Sequence, residues 1–179
     1  MEADGLLDGL VRELQLTEAP EERFPLTIAF MRLLKHLCNF PLPLTLGAGT
    51  RQTTGVGPFV EHVMNILLRL DSFSFKDQSE KWQIGIETLA IINAMLNNYV
   101  PHSDDFAPSA QAVHPGFQIY RFLLTDSPLL RKLLQIVEVA VDHMEQFPIE
   151  HDTTMLLAGE GALELLAKEC CQKINIFLC

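Results

Sequence analysis

Residues 76–99 read KDQSEKWQIGIETLAIINAMLNNY, and they carry one long helical pattern. The apolar side chains go most of the way round this predicted helix instead of forming a single stripe. Such a helix needs packed neighbours on more than one side. The segment therefore predicts a central helix surrounded by others. Its apolar residues are Trp82, Ile84, Ile86, Leu89, Ile91, Ile92, Met95, Leu96 and Tyr99.

Four other apolar helical patterns begin with a proline, at Pro25, Pro58, Pro115 and Pro128. Proline suits the first helical position because its missing N–H has no intrahelical partner there and its fixed φ already fits the helix. No strand alternation extends over a useful length. The pattern predicts about seven helices, over residues 3–16, 25–38, 58–70, 76–99, 115–125, 128–147 and 151–179.

Three of these helices show one apolar stripe each, and we expect each stripe to face the core. The expected inward residues are Leu26, Ala29, Phe30, Leu33, Leu34 and Leu37 on the second helix, Leu130, Leu133, Leu134, Val137, Val141 and Met144 on the sixth, and Leu156, Leu163, Leu166, Cys170, Ile174 and Phe177 on the last.

The predicted fold class is all-α, with residues 1–179 forming a single segment. Two architectures fit seven helices: a closed bundle, or a stack of antiparallel helix pairs of the solenoid type. The apolar circumference of the fourth helix and the apolar run at residues 174–179 favour the stack. No repeat of fixed period occurs, so we expect an irregular α-solenoid segment.

Composition and charge exclude several classes of protein. The chain has 179 residues, of which 48% are hydrophobic, and a formal net charge of −10. This apolar content supports a continuous core and excludes a disordered chain. The basic residues are scattered, with Arg131-Lys132 as the one adjacent pair, so direct binding of nucleic acid is not expected. No apolar run is long enough to span a bilayer, and the acidic N-terminus does not resemble a signal peptide, so a soluble, non-secreted protein is expected.

Cysteine and glycine patterns predict neither a metal nor a cofactor site. The four cysteines, at positions 38, 170, 171 and 179, are interpreted as reduced thiols, because they are too few and too uneven for a disulfide framework. His36 and Cys38 are two apart on a helix and so point different ways, which does not suit zinc. The glycines between residues 47 and 57 lack a following Gly-Lys-Ser/Thr and a preceding strand, so they are interpreted as a connector.

The sequence contains the residue types of a catalytic triad, but it gives no evidence that they lie together. Cys38, His143 and Asp142 could supply a nucleophile, a base and an orienting carboxylate, yet such triads are defined by geometry and not by inventory. Glu138 and Asp142 share one polar helix face and are interpreted as solvated carboxylates. No catalytic, cofactor-binding or metal-binding residue is therefore predicted, and the chain is not expected to be an enzyme.

Four phenylalanines fall in predicted loops, at positions 40, 73, 75 and 106. A loop aromatic either folds back onto the core or stays exposed as an anchor for a partner. Folding back is the commoner outcome, so we expect these rings to close the loops onto the helices.

The order of several short blocks resembles a known family. These blocks are Phe24-Pro25-Leu26-Thr27-Ile28-Ala29-Phe30, the glycine-rich connector, Gly57-Pro58-Phe59, Lys81-Trp82, Pro115-Gly116-Phe117 and Asp126-Ser127-Pro128-Leu129-Leu130. Over about residues 24–147 the chain is similar to the large inner-ring scaffold nucleoporins of the nuclear pore complex, which are long α-helical superhelices.

The resemblance implies a non-enzymatic building block of the inner ring, located at the nuclear pore complex in the nuclear envelope. It also implies binding to other nucleoporins, including short linear segments of linker nucleoporins, and support of nucleocytoplasmic transport. Members of that family are far longer than 179 residues, so the chain is expected to be a segment of such a protein. The alternative from the residues alone is a stand-alone helical protein-interaction or adaptor domain unrelated to the pore.

Overall fold

The computed structural model describes residues 18–39, 56–97, 119, 120, 123, 128–146 and 153–178, with the side chains of 56–59 and 169–178 outside the description. These residues form five α-helices and a short 3-10 helix at Leu70–Ser72, and they contain no strand. The α-helices are α1 (Phe24–Cys38), α2 (Val56–Leu68), α3 (Gln78–Asn97), α4 (Pro128–Gln146) and α5 (Thr153–Leu178).

The all-helical prediction is confirmed for this part of the chain. Five of the seven predicted helices are found at close to their expected positions. The helix predicted over residues 3–16 lies outside the described residues. Of the helix predicted over 115–125, residues 119, 120 and 123 are described, and all three are helical.

Local sequence signals explain where the helices begin and end. Pro25 is in the first turn of α1, and Lys35 and His36 are in its last turn, where basic groups favour the negative end of the helix dipole. The Asp77 carboxylate accepts a hydrogen bond from the Glu80 amide at 2.9 Å, and the Glu80 carboxylate accepts one from the Lys76 amide at 3.2 Å. This reciprocal pair caps the start of α3.

Helix α3 is the centre of the described fold. Every side chain from Ile91 to Leu96 is buried, and Trp82 is 4% exposed. The main packing partners of α3 are α1, α2 and α5. The prediction of a central helix with neighbours on several sides is therefore confirmed.

Helices α2, α4 and α5 form a closed ring with α3. Helix α5 packs between α3 and α4, α4 also contacts α2, and α2 returns to α3. Helix α1 packs on α3 from outside this ring. The apolar core includes side chains of all five α-helices, and Ile119, Tyr120 and Leu123 contribute fully buried side chains to it.

Helices α3 and α5 run in the same direction where they touch. A Cβ built on Gly161 would lie 3.5 Å from Leu89. One turn further along, the Asn93 amide donates to the Glu164 carboxylate at 2.8 Å, and then the Lys168 ammonium donates to the Asn97 side-chain oxygen at 2.8 Å. Because the residue numbers increase together in both helices, the pair is parallel.

Helices α4 and α5 form a close pair with a short connection. A Cβ built on Gly159 would lie 2.5 Å from the Cβ of Ala140, a separation that real side chains do not show. Residues 140 and 159 are equally far from the connection at 147–152, which makes this pair antiparallel. Glycine at position 159 therefore permits the two backbones to approach.

The predicted inward faces of three helices need correction. On α1 the buried side chains include Met31, Leu34 and Cys38, and Leu26 and Leu33 are 50% and 48% exposed. The buried face of α4 and α5 is likewise rotated from the expected one, because tertiary neighbours select one of two adjacent apolar stripes. The residues expected inside but found exposed are Leu26, Ala29, Leu33, Leu134, Val141, Met144 and Leu163.

Two ionic clusters tie the helices together. Asp71 in the 3-10 helix accepts a hydrogen bond from Lys132 of α4 and forms an ion pair with Lys81 of α3. Partial burial alone would raise the pKa of Asp71, but hydrogen bonds from the two lysines and their charges outweigh it, so this pKa is lowered. On the far side of α3, the buried Glu87 accepts a 2.8 Å hydrogen bond from Arg32 of α1.

Candidate protein-interaction site

Exposed large apolar side chains are concentrated on α1, α4 and α5 in the described part of the chain. On α4, Leu134 is 53% exposed, Val141 41% and Met144 44%. Half-buried Leu130 and Val137 complete a stripe whose members are alternately four and three residues apart. This spacing keeps all five side chains on one side of the helix.

Helix α5 borders this stripe. Ala140, which faces Gly159 of α5, is one residue before Val141 and one turn before Met144. On α5, Leu163 is one turn after Gly159 and is 53% exposed. Val141 and Met144 of α4 and Leu163 of α5 are therefore next to the Ala140–Gly159 contact. They lie along the solvent-exposed edge of the contact between the two helices. We call this surface the α4–α5 groove and define it by Leu134, Val141, Met144 and Leu163.

Carboxylates flank the groove. Glu138, Asp142 and Glu145 are exposed on the second half of α4, and Glu160 and Glu164 are exposed on α5. The exposed basic group on α4 is Arg131 in its first turn, since Lys132 is buried with Asp71. Lys168 of α5 pairs with Glu164 at 2.8 Å. The second half of the α4–α5 groove is therefore an exposed apolar surface with an acidic rim formed by these carboxylates.

A second surface feature lies beside α2. It is an open cavity of about 400 Å³ lined by Glu18, His62, Asn65, Ile66, Arg69 and Phe73. The Arg69 guanidinium lies 5.3 Å from the centroid of the Phe73 ring, in cation–π range. The lining of this cavity combines an acidic group, a basic group and a phenyl ring. Such a lining fits a polar loop of a partner better than an apolar helix.

The candidate catalytic residues are not brought together. Cys38 is 2% exposed on α1, and burial raises the pKa of its thiol to about 12, so it is not a thiolate at neutral pH. His143 and Asp142 are in the last turns of α4, whose main neighbours are α5 and α2. Glu138 and Asp142 are both exposed, as the solvated interpretation expects.

The described residues contain neither a metal-binding cluster nor a membrane-spanning helix. No group of three or more His, Cys, Asp or Glu side chains that could hold a metal ion occurs among the described residues. Likewise, none of the described helices is both long and apolar enough to cross a bilayer. His36 is exposed and Cys38 buried, so these two side chains do point different ways. The glycines at 47, 49 and 55 lie outside the described residues.

Of the four loop aromatics, Phe75 folds back and packs against the core, as expected. Phe73 contacts the Phe75 ring edge-on, with ring centroids 6.0 Å apart, and also lines the open cavity beside α2. This contact fastens the loop between the 3-10 helix and α3. Phe40 and Phe106 lie outside the described residues.

Comparison with known proteins identifies the family to which these helices belong. The family model described as "Nuclear pore complex scaffold, nucleoporins 186/192/205" matches residues 3–168. The chain belongs to this family of scaffold nucleoporins. The expectation drawn from the ordered sequence blocks is thus confirmed, and with it the localisation at the nuclear pore complex of the nuclear envelope.

Two relatives of the scaffold nucleoporin are similar along most of its length. Nuclear pore complex protein Nup205 of Homo sapiens is 28% identical over 180 residues, which covers 95% of this chain and 8% of the human protein. The Drosophila melanogaster protein of the same name is 31% identical over 139 residues, 77% of this chain and 7% of the fly protein. The chain thus spans less than a tenth of the length of either relative.

Sequence reasoning missed the groove because it assigned the same side chains to the core. One signal could have identified it. Glu138, Asp142 and Glu145 follow the stripe along α4, and charged neighbours on one edge of an apolar stripe are typical of a face that borders solvent.

Proposed function

We propose that this chain is a segment of a structural scaffold of the nuclear pore inner ring, built as an irregular α-solenoid and without enzymatic activity. Its role is to bind other nucleoporins and so support nucleocytoplasmic transport. Family membership supports the scaffold role, and the helix contacts support the architecture. The alternative of an adaptor domain unrelated to the pore loses its basis once the family is known.

The parallel contact between α3 and α5 carries the solenoid proposal. In an up-and-down bundle with short loops, neighbouring helices are antiparallel. Stacked helix pairs instead place equivalent helices of successive units side by side in the same direction. Leu89 lies opposite Gly161, and Asn97 contacts Lys168, so the residue numbers rise together along α3 and α5. This parallel arrangement is the one found in stacked helix pairs. The antiparallel α4–α5 pair supplies a helix hairpin of the kind that such units contain.

The α4–α5 groove is the surface that we propose for partner binding. Exposing apolar side chains to water is unfavourable, and these side chains are about half exposed. A bound segment would bury them and so gain free energy. Their spacing along α4 fits a helical or extended peptide laid into the groove. The acidic rim favours a segment that carries Lys or Arg beside its apolar residues.

A localisation assay tests the proposal. We would express the chain fused to a fluorescent protein and measure the ratio of nuclear-rim to cytoplasmic signal. Rim enrichment is expected, and the double variant Leu134→Asp/Val141→Asp should reduce it severalfold. Leu157→Asp is the matched control, because Leu157 is 52% exposed on α5 but outside the groove. A uniform signal from the unaltered fusion, or equal loss in the control, would contradict the proposal.

A further inference from the structure

The outer face of α1 has the opposite character to the α4–α5 groove. Its exposed apolar residues are Leu26, Ala29 and Leu33, with Leu37 half-buried beside them. Helix α1 contains no acidic residue. Basic groups follow the apolar residues instead, with Arg32 55% exposed and His36 exposed next to it. We call the set Leu26, Ala29, Leu33 and Leu37 the α1 face.

The two surfaces match in spacing. Leu26 and Leu33 of the α1 face are seven residues apart, and so are Leu134 and Val141 of the groove. All four are between 41% and 53% exposed. Two helices with exposed apolar residues at this interval can interdigitate along two turns, as in coiled-coil seams.

They also match in the order of charge along the helix. Exposed Glu18 and Glu22 precede the α1 face with one exposed basic residue, Arg23, beside them, so this end is acidic on balance. Arg32 and His36 accompany the second half of the face. On α4 the order is reversed: exposed Arg131 comes first, and Glu138, Asp142 and Glu145 accompany the second half. Placed parallel, each charged end of α1 meets the opposite charge on α4. Placed antiparallel, Glu22 would approach the acidic end of α4, which is unfavourable.

We propose that the α1 face of one copy of this chain docks into the α4–α5 groove of a second copy, with α1 and α4 parallel. This contact uses the same groove as the nucleoporin segment proposed above, so the two occupants compete for it. Arg32 already donates to Glu87 within its own copy, but a guanidinium has five N–H donors and can also reach a carboxylate of the rim. Because the two surfaces are different patches of the molecule, the contact is heterologous and leaves one free face at each end. The copies therefore add head to tail.

Sedimentation velocity of the purified 179-residue chain tests this directly, independently of any role at the pore. The unaltered chain should show a weight-average mass that increases with concentration. Leu33→Asp disables the α1 face and Val141→Arg disables the groove, so each variant alone should remain a monomer. An equimolar mixture of the two variants still contains one intact face of each kind and should form a 1:1 dimer that grows no further.

Controls keep a folding defect from imitating this result. Both substitutions are at exposed positions, and far-UV circular dichroism should be unchanged. Leu26→Asp and Leu134→Arg form a second, independent pair of variants that should behave in the same way. Leu157→Asp, outside both surfaces, should assemble like the unaltered chain.

Charge reversal checks the orientation. Arg32→Glu should weaken assembly at least about tenfold, and Asp142→Arg in the other copy should recover most of that loss. Raising the salt from about 0.05 M to about 0.5 M should weaken the unaltered assembly, because exposed charges are then screened.

Three outcomes would overturn the proposal: an unaltered chain that stays monomeric, a mixture of blocked variants that does not dimerise, or assembly that survives in both single variants. In the first case, hydrogen exchange of residues 3–16 would show whether that segment covers the α1 face instead. In the last case, a different surface joins the copies.

Discussion

Helices α3 and α4 have similar lengths but opposite relations to their surroundings. In α3 every side chain from Ile91 to Leu96 is buried, whereas α4 buries Leu129, Lys132, Leu133, Ile136 and Ala140 and exposes a second apolar stripe. Among the described α-helices, α3 has three main packing partners and α4 has two. The difference shows that the number of packed neighbours, and not apolar content alone, decides which side chains are buried.

The comparison separates stability from recognition. Truncating a side chain on α3 should cost folding free energy, because its contacts lie inside the molecule. Truncating one in the α4 stripe should leave folding almost unchanged and affect association instead. Substitutions on α3, on α4 and at the contacts between neighbouring helices can therefore test this division. They follow in order of the size of their expected effect on stability.

The largest effect is expected for Trp82→Ala. Trp82 is 4% exposed and packs within the core, so removal of its ring should lower the free energy of unfolding by about 3 kcal/mol or more. Urea unfolding followed by circular dichroism measures the loss. Leu134→Ala on α4 is the matched control and should change little. An unfolding midpoint that hardly moves in Trp82→Ala would place this side chain outside the cooperative core.

Gly159→Ala should come next. The added methyl would lie 2.5 Å from the Cβ of Ala140, so α4 and α5 must separate, at a cost of about 2 kcal/mol. Gly161→Ala is the control on the same helix, because its Cβ would meet Leu89 at an ordinary 3.5 Å. That substitution should be neutral, or stabilising by up to about 1 kcal/mol through helix propensity. Equal destabilisation by both variants would remove the close α4–α5 approach as the explanation.

Asp71→Asn should have a smaller effect that depends on pH. Hydrogen bonds and charge from Lys132 and Lys81 lower the pKa of Asp71 despite its partial burial, so the folded state favours the carboxylate. Its stabilisation is therefore present at neutral pH and is lost as the pH falls below the ordinary aspartate pKa and through the lowered one. Since the Asp71 side chain is 49% exposed, the loss in Asp71→Asn at neutral pH should be about 1 kcal/mol.

Thermal melts across this pH range check the linkage. The stability difference between the unaltered chain and Asp71→Asn should shrink as the pH decreases. Adding Lys132→Met to Asp71→Asn should recover part of the loss, because it removes the buried ammonium left without its carboxylate. A difference that grows at low pH would contradict the assigned sign.

The smallest effect is expected for Leu134→Gln, within about 0.5 kcal/mol, because this side chain is 53% exposed. Its neighbour Leu133 is 0% exposed, and Leu133→Gln should be severely destabilising. The two substitutions are at neighbouring positions. Chemical denaturation gives the stability of each variant, and the comparison shows which side of α4 faces the core. If Leu134→Gln were the more damaging of the two, the inward face expected from the sequence would be the right one.

Local signals predicted the described helices well. The prolines at 25 and 128 and the Asp77–Glu80 cap set helix starts that depend on near neighbours, so the sequence contains the information. On α2 the polar residues Glu61 and Asn65 are exposed. Because these positions are polar, α2 has a single apolar stripe, and the sequence alone indicates which side of the helix is buried.

The inward faces of α1, α4 and α5 could not be predicted in the same way. Leu133 and Leu134 are adjacent and equally apolar, so periodicity allows either to face the core. The decision is made by residues distant in sequence, such as Gly159, whose missing side chain brings Ala140 inward. The groove was overlooked for the same reason, since a stripe assigned to the core is not available for partners.

Trp82 also provides an optical reporter that needs no label. It is the single tryptophan of the chain, it is buried, and its indole Nε1 has no hydrogen-bond partner among the described residues. Its emission should therefore lie at short wavelength in the native protein and shift to the red on unfolding. Since Trp82 is 4% exposed and belongs to neither proposed surface, association should leave the emission wavelength unchanged, and one fluorimeter can tell assembly from denaturation.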